Sequence, residues 1–71
     1  MSALDKQEGG SHYSQLAIQP IEVILKNKMG FCESNAFKYI ARHRLKNGAE
    51  DVKKAIHYLQ ILLEIEYGVK L

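Results

Sequence analysis

A single cysteine, Cys32, stands among 71 residues, so no disulfide can close within the chain and no thiol cluster can hold a structural zinc. Long apolar runs are missing as well. The longest falls far short of a membrane span, and Met1 to Gly10 is polar where a secretory leader would be apolar. Both absences point to the cytoplasm. The net charge is only +2, which argues against nucleic-acid binding by bulk electrostatics and leaves any preference for anions to local clustering. There is no GxxxxGK(S/T) phosphate loop, no GxGxxG, no HExxH and no nucleophile elbow. His12, His43 and His57 lack metal-like spacing, and Cys32 has no ligand neighbour in sequence, so no metal site is expected.

What is present, 46% hydrophobic and 25% charged residues, describes one small domain with no room for a second. A chain of this size buries only about 60% of the surface that its unfolded form exposes, which leaves the monomer marginal. With disulfides and metals excluded, oligomerisation is the remaining means of support.

Residues 1–11 carry few large apolar groups and end in Gly9, Gly10 and Ser11, the composition of a flexible arm. Residues 12–71 read as one helical domain. Pro20 suits a first helical turn, and a short helix is expected from Pro20 to about Lys28, with Gly30 in a left-handed stop. A second helix is expected to start between Cys32 and Asn35, capped by Ser34 or Asn35 and favoured by Glu33 near its positive end. Phe37, Ile40 and Ala41 would form its inner face. Asn47-Gly48 breaks the chain, Glu50 and Asp51 open a third helix, and Gly68 closes it after Tyr67. Val52, Ala55, Ile56, Leu59, Leu62 and Leu63 make one apolar face of that helix, and Tyr58, Ile61 and Ile65 a second strip. The expected fold is therefore all-α, a short helix followed by a helical hairpin, assembled as a homo-oligomer through Tyr58, Ile61 and Ile65. No strand-like alternation, internal repeat or low-complexity tract competes with this.

The stretch from Ser34 to Ala55 concentrates Lys38, Arg42, Arg44, Lys46, Lys53 and Lys54, with His43 protonatable among them. On the second helix Asn35, Lys38, Tyr39, Arg42 and Lys46 share one side. Arg grips phosphate bidentately, Lys adds a point charge and a tyrosine ring can stack on a base, so this stripe suits a phosphate-bearing ligand. On the other reading it is a solvated surface in which Arg42 or Lys46 pairs with Asp51 or Glu50 across the hairpin. Lys53, His57, Gln60 and Glu64 form a further aligned row whose mixed charge reads as a wet face or an intersubunit rim.

Certain motifs tip the balance between the two readings. His12-Tyr13, Ile18-Gln19-Pro20-Ile21-Glu22-Val23-Ile24, Asn35-Ala36-Phe37-Lys38-Tyr39-Ile40 with Arg42, Lys46-Asn47-Gly48 with Glu50-Asp51, Lys54-Ala55 and Tyr58-Leu59 together resemble a bacteriophage family of small domains of unknown function. Its members are described as nucleotide kinase-like and are related to a larger podophage nucleotide kinase that has no standard phosphate loop. The resemblance spans residues 12–63. It implies a phage origin, a helical oligomer and a relation to nucleotides, and it falls on His12, Tyr13, Asn35, Lys38, Tyr39, Arg42, Lys46 and Lys54 as ligand-binding residues, with Gln19 and Asp51 as polar support. The chain lacks the additional region of the larger kinase. Phosphoryl transfer needs two nucleotides in line and strong charge neutralisation, a demand that one chain this small meets only with residues from several subunits. Sequestering a nucleotide signal of host defence demands affinity alone. The expectation is a nucleotide-type ligand bound in the cytoplasm of an infected bacterium, with no catalytic residue assigned and no cofactor. Two alternatives stand beside it. One is a nucleoside monophosphate kinase with shared sites, which would use ATP and Mg2+; the other is a non-enzymatic helical module that engages a host protein.

Overall fold

The computed structural model describes residues 15–71. Within them the chain forms three helices and no strands: α1 Pro20–Lys26, α2 Phe31–Arg42 and α3 Ala49–Tyr67. The all-α expectation, a short helix and then a hairpin, holds.

Pro20 opens α1 and is buried there. A proline costs nothing at this position because the first N–H groups of a helix have no intrahelical acceptor. The Glu22 carboxylate reaches back to accept the Gln19 N–H at 2.9 Å. The helix stops two residues before the expected Lys28, because Asn27 turns in to close it: its N–H donates to the Val23 carbonyl at 3.0 Å and its side-chain amide donates to the same oxygen at 2.9 Å.

The left-handed residue of this corner is Lys28, with φ 53°, and Gly30, expected to fill that role, is extended at φ −75°. Gly30 is instead the N-cap of α2, which therefore begins earlier than the sequence suggests. Its N–H donates to Glu33 at 2.5 Å, so the acid three residues on does the capping. Ser34 and Asn35, the expected caps, lie inside the helix and donate backwards, Ser34 to the Gly30 carbonyl and Asn35 to that of Phe31 at 2.9 Å.

A turn over residues 43–48 reverses the chain and α3 packs antiparallel on α2, while α1 packs on α2 alone among these elements. Gly48 precedes α3 at φ 57°, ψ −126°, and Gly68 ends it at φ 66°, ψ 24°. Both stops fall where the sequence puts them. The interior between α2 and α3 is small: Ala36, Ala55 and Asp51 are its buried residues.

The side of α3 turned toward α2 is not its greasiest one. Ala55 is buried and Tyr58 and Leu62 are half-buried, in line with Asp51, whereas Ile56 and Leu59 remain 49% and 44% exposed. On α2, Ile40 is likewise 47% exposed rather than part of an inner face. A buried ion pair and an aromatic stack at the hairpin interface fix this rotation.

Candidate functional site

Asp51 sits in the first turn of α3, where the helix dipole favours a carboxylate, and its side chain is completely buried. Nine residues upstream, the last residue of α2 faces it. Arg42 donates from Nη2 to Oδ1 at 3.1 Å and from Nε to Oδ2 at 3.3 Å, the two-pronged match of a guanidinium to a carboxylate. The Asn47 N–H adds a third donor to Oδ2 at 3.2 Å. Burial pushes the Asp51 carboxyl up, but the hydrogen bonds from Arg42 and Asn47, with the attraction of the guanidinium, outweigh it and hold the group below its ordinary value. The pairing across the hairpin weighed from sequence is thus present, as Arg42 with Asp51.

The Arg42 guanidinium also lies 4.5 Å from the centre of the Tyr39 ring, and the Lys54 ammonium lies 5.4 Å from it. Both are within cation–π range. Tyr39 stacks on Tyr58 with ring centres 5.9 Å apart and planes 18° apart. Phe31 and His57 meet Tyr58 edge-on at 6.2 and 6.5 Å. One row of aromatic rings therefore crosses from α2 to α3, with cations at its edge.

Beside this row an open cleft of about 380 Å³ is lined by Tyr39, Glu50, Lys53, Lys54, His57 and Tyr58. Its size is within the range of small-molecule sites. Two lysines give it positive character, Glu50 opposes them at one side, His57 adds an imidazole, and the tyrosines supply the apolar floor. No group of three His, Cys, Asp or Glu side chains able to hold a metal occurs among the described residues.

Of the sequence-nominated residues, Tyr39, Arg42, Asp51 and Lys54 come together here. Lys38 and Lys46 are exposed and do not line the cleft, Asn35 is engaged with its own helix, and Gln19 belongs to the start of α1. His12 and Tyr13 lie outside the described residues. Of the residues nominated for subunit contact, Tyr58 is engaged within the protomer, Ile61 is half-buried and Ile65 is 78% exposed. Glu50, Lys53 and His57 were not nominated as ligand residues, although their spacing along α3 at three and four residues places them on one flank.

A family model for DUF3310, a protein of unknown function, matches residues 7–60. The chain belongs to the DUF3310 family. No curated protein and no solved structure matches it. The region shared with DUF3310 contains α1, α2, the reversing turn and α3 as far as Gln60, and so includes the Arg42–Asp51 pair and every residue of the cleft.

Proposed function

We propose that this DUF3310 protein binds a nucleotide or nucleotide-derived phosphate ligand in the cleft between α2 and α3, and that it acts by holding the ligand rather than transforming it. The observation that carries this reading is the placement of Lys53, Lys54 and His57 around the Tyr39–Tyr58 stack. Ammonium groups attract phosphate and an aromatic edge supports a base. The resemblance to phage nucleotide kinase-like proteins points to the same ligand class, and it makes sequestration of a nucleotide signal during infection the role we favour.

Arg42 enters this picture as the residue that positions Tyr39 and Asp51. Its removal would disturb the fold and is therefore a poor test of binding. Lys54→Ala is the better variant, since Lys54 is exposed and, among the described residues, its ammonium group meets Tyr39 alone. Calorimetric titration of the wild type with mono-, di- and cyclic nucleotides should find a ligand whose affinity falls about tenfold in Lys54→Ala, the size of one charge-assisted contact. Saturation at 100 times the dissociation constant should stabilise the wild type by about 2.7 kcal/mol. Absence of any thermal shift across the panel overturns the proposal and favours a protein-interaction module. Formation of nucleoside diphosphate on incubation with ATP, Mg2+ and a nucleoside monophosphate would favour the kinase reading.

A further inference from the structure

Phe31 opens α2 and is 76% exposed, yet it does not stand apart on the surface. Its ring meets Tyr58 edge-on at 6.2 Å, and Tyr58 lines the cationic cleft. Along α2, Phe31, Asn35, Lys38 and Arg42 follow one another at intervals of four, three and four residues, which puts Phe31 on the same side of the helix as Arg42. The aromatic row beside the cleft therefore ends at Phe31. The two tyrosines of that row are half-buried and already engaged. Tyr39 carries Tyr58 stacked against it at 5.9 Å, the Arg42 guanidinium at 4.5 Å and the Lys54 ammonium at 5.4 Å. Tyr58 has Tyr39 against its face and His57 and Phe31 at its edge. Phe31 meets only Tyr58 among the described rings, so its flat surface is left open.

We propose that Phe31 is the stacking platform for the base of the nucleotide-type ligand, whose phosphate end is held by Lys53 and Lys54. The inference rests on the reading of the cleft as a nucleotide site, and it adds the residue that receives the base and the direction in which the ligand lies. Two features select a base as the occupant. A phenyl ring has no hydrogen-bonding atom, so what Phe31 offers is a flat apolar face, which suits a planar aromatic group of any base identity. Charge and aromatic surface are also separated along the groove. Because α2 and α3 run antiparallel, the start of α2 lies beside the second half of α3, away from Lys53 and Lys54 near its beginning. Phe31 precedes Tyr39 by eight residues, about 12 Å along α2. A ligand that satisfies both ends is anionic at one end and aromatic at the other, as a nucleotide is when it lies lengthwise between the two helices.

Calorimetric titration of the full chain with the adenosine, guanosine, cytidine and uridine 5′-diphosphates, and with pyrophosphate as the probe that has no base, tests the proposal. Phe31→Ala should weaken nucleotide binding about 5- to 100-fold, the worth of one base stacked on an aromatic ring, and leave pyrophosphate binding unchanged. Lys54→Ala should weaken both. The chain contains no tryptophan, so Phe31→Trp also supplies a single fluorescent reporter. It should bind nucleotides at least as well as the wild type, and its emission should be quenched saturably by nucleotides and not by pyrophosphate. If circular dichroism shows that Phe31→Ala loses helicity, Phe31→Trp carries the test. Three results would overturn the inference alone: wild-type nucleotide affinity in Phe31→Ala where Lys54→Ala is weakened, an equal loss of pyrophosphate in a folded Phe31→Ala, or no quenching of Phe31→Trp at saturating nucleotide. A wild type that binds none of the nucleotides overturns the cleft reading and this inference with it.

Discussion

Asp51 is the most buried charged side chain described in this protein, and Arg42 and the Asn47 N–H donate to it at the positive end of α3. Removing one member of such a pair leaves the other desolvated and unmatched, which costs about 3 kcal/mol or more. A domain of this length has about 4–10 kcal/mol in total, so Arg42→Ala should lose a large part of its stability in urea denaturation. Arg42→Ala combined with Asp51→Ala should lose less than the two single changes added together, because the double variant buries no unmatched charge. The same pair sets a pH dependence. The Asp51 carboxyl is held below the ordinary carboxylate value, so in that range the unfolded chain binds more protons than the folded one, and stability rises with pH. The contribution is complete above the unfolded value and declines as the pH falls through the folded one. Denaturation midpoints should be level from about pH 7 to 5 in this respect and fall below about pH 4, with Asp51→Asn losing that acid-sensitive component.

At the scale of the elements, the two glycines with positive φ at helix boundaries are unequal in their tolerance. Gly48 takes φ 57° with ψ −126°, a region that is open to glycine and strained for any residue with a Cβ. Nothing lies within 4 Å of where a Cβ would be, so the cost is one of backbone conformation and not of collision. Gly48→Ala should therefore destabilise by about 1–3 kcal/mol. Gly68, in the ordinary left-handed region at φ 66°, ψ 24°, should cost about 1 kcal/mol on the same change. Comparing the two in urea denaturation separates them. Gly48 also fixes the reversal that brings Asp51 to Arg42, so the Gly48→Ala loss should include weakened acid sensitivity.

Across the whole molecule, a thin interior coexists with two unlike flanks. The buried residues between α2 and α3 are small or charged, and larger apolar side chains such as Ile56 and Leu59 are left about half exposed. On the other flank, Glu50 stands among the cations of the cleft. Glu50→Gln removes a repulsive charge, and phosphate-bearing ligands should bind a few-fold tighter to that variant in calorimetry. Helix number, the order of a short helix and a hairpin, and the stops at Gly48 and Gly68 are all legible in the sequence, because each rests on local chemistry within a few residues. Tyr39, Arg42 and Lys54 are legible as a candidate site from helical spacing together with resemblance. The remaining cleft residues, Glu50, Lys53 and His57, look in sequence like an ordinary wet helix face. Only the facing aromatic rings give that face a floor.

The sequence by itself determined the helical class, the smallness of the core and the concentration of cations around the hairpin, since composition, periodicity and breakers act along the chain. Tertiary structure decided which side of α3 turns inward. By apolar count the inward side should have been Val52, Ala55, Ile56, Leu59, Leu62 and Leu63, yet of these the fold turns Ala55 and Leu62 toward α2, beside Asp51 and Tyr58, and leaves Ile56 and Leu59 about half exposed. The reason is that Arg42 and Tyr39, nine and nineteen residues before their partners Asp51 and Tyr58, make interactions that require one rotation of the helices. A periodicity confined to one helix carries no record of what the neighbouring helix presents.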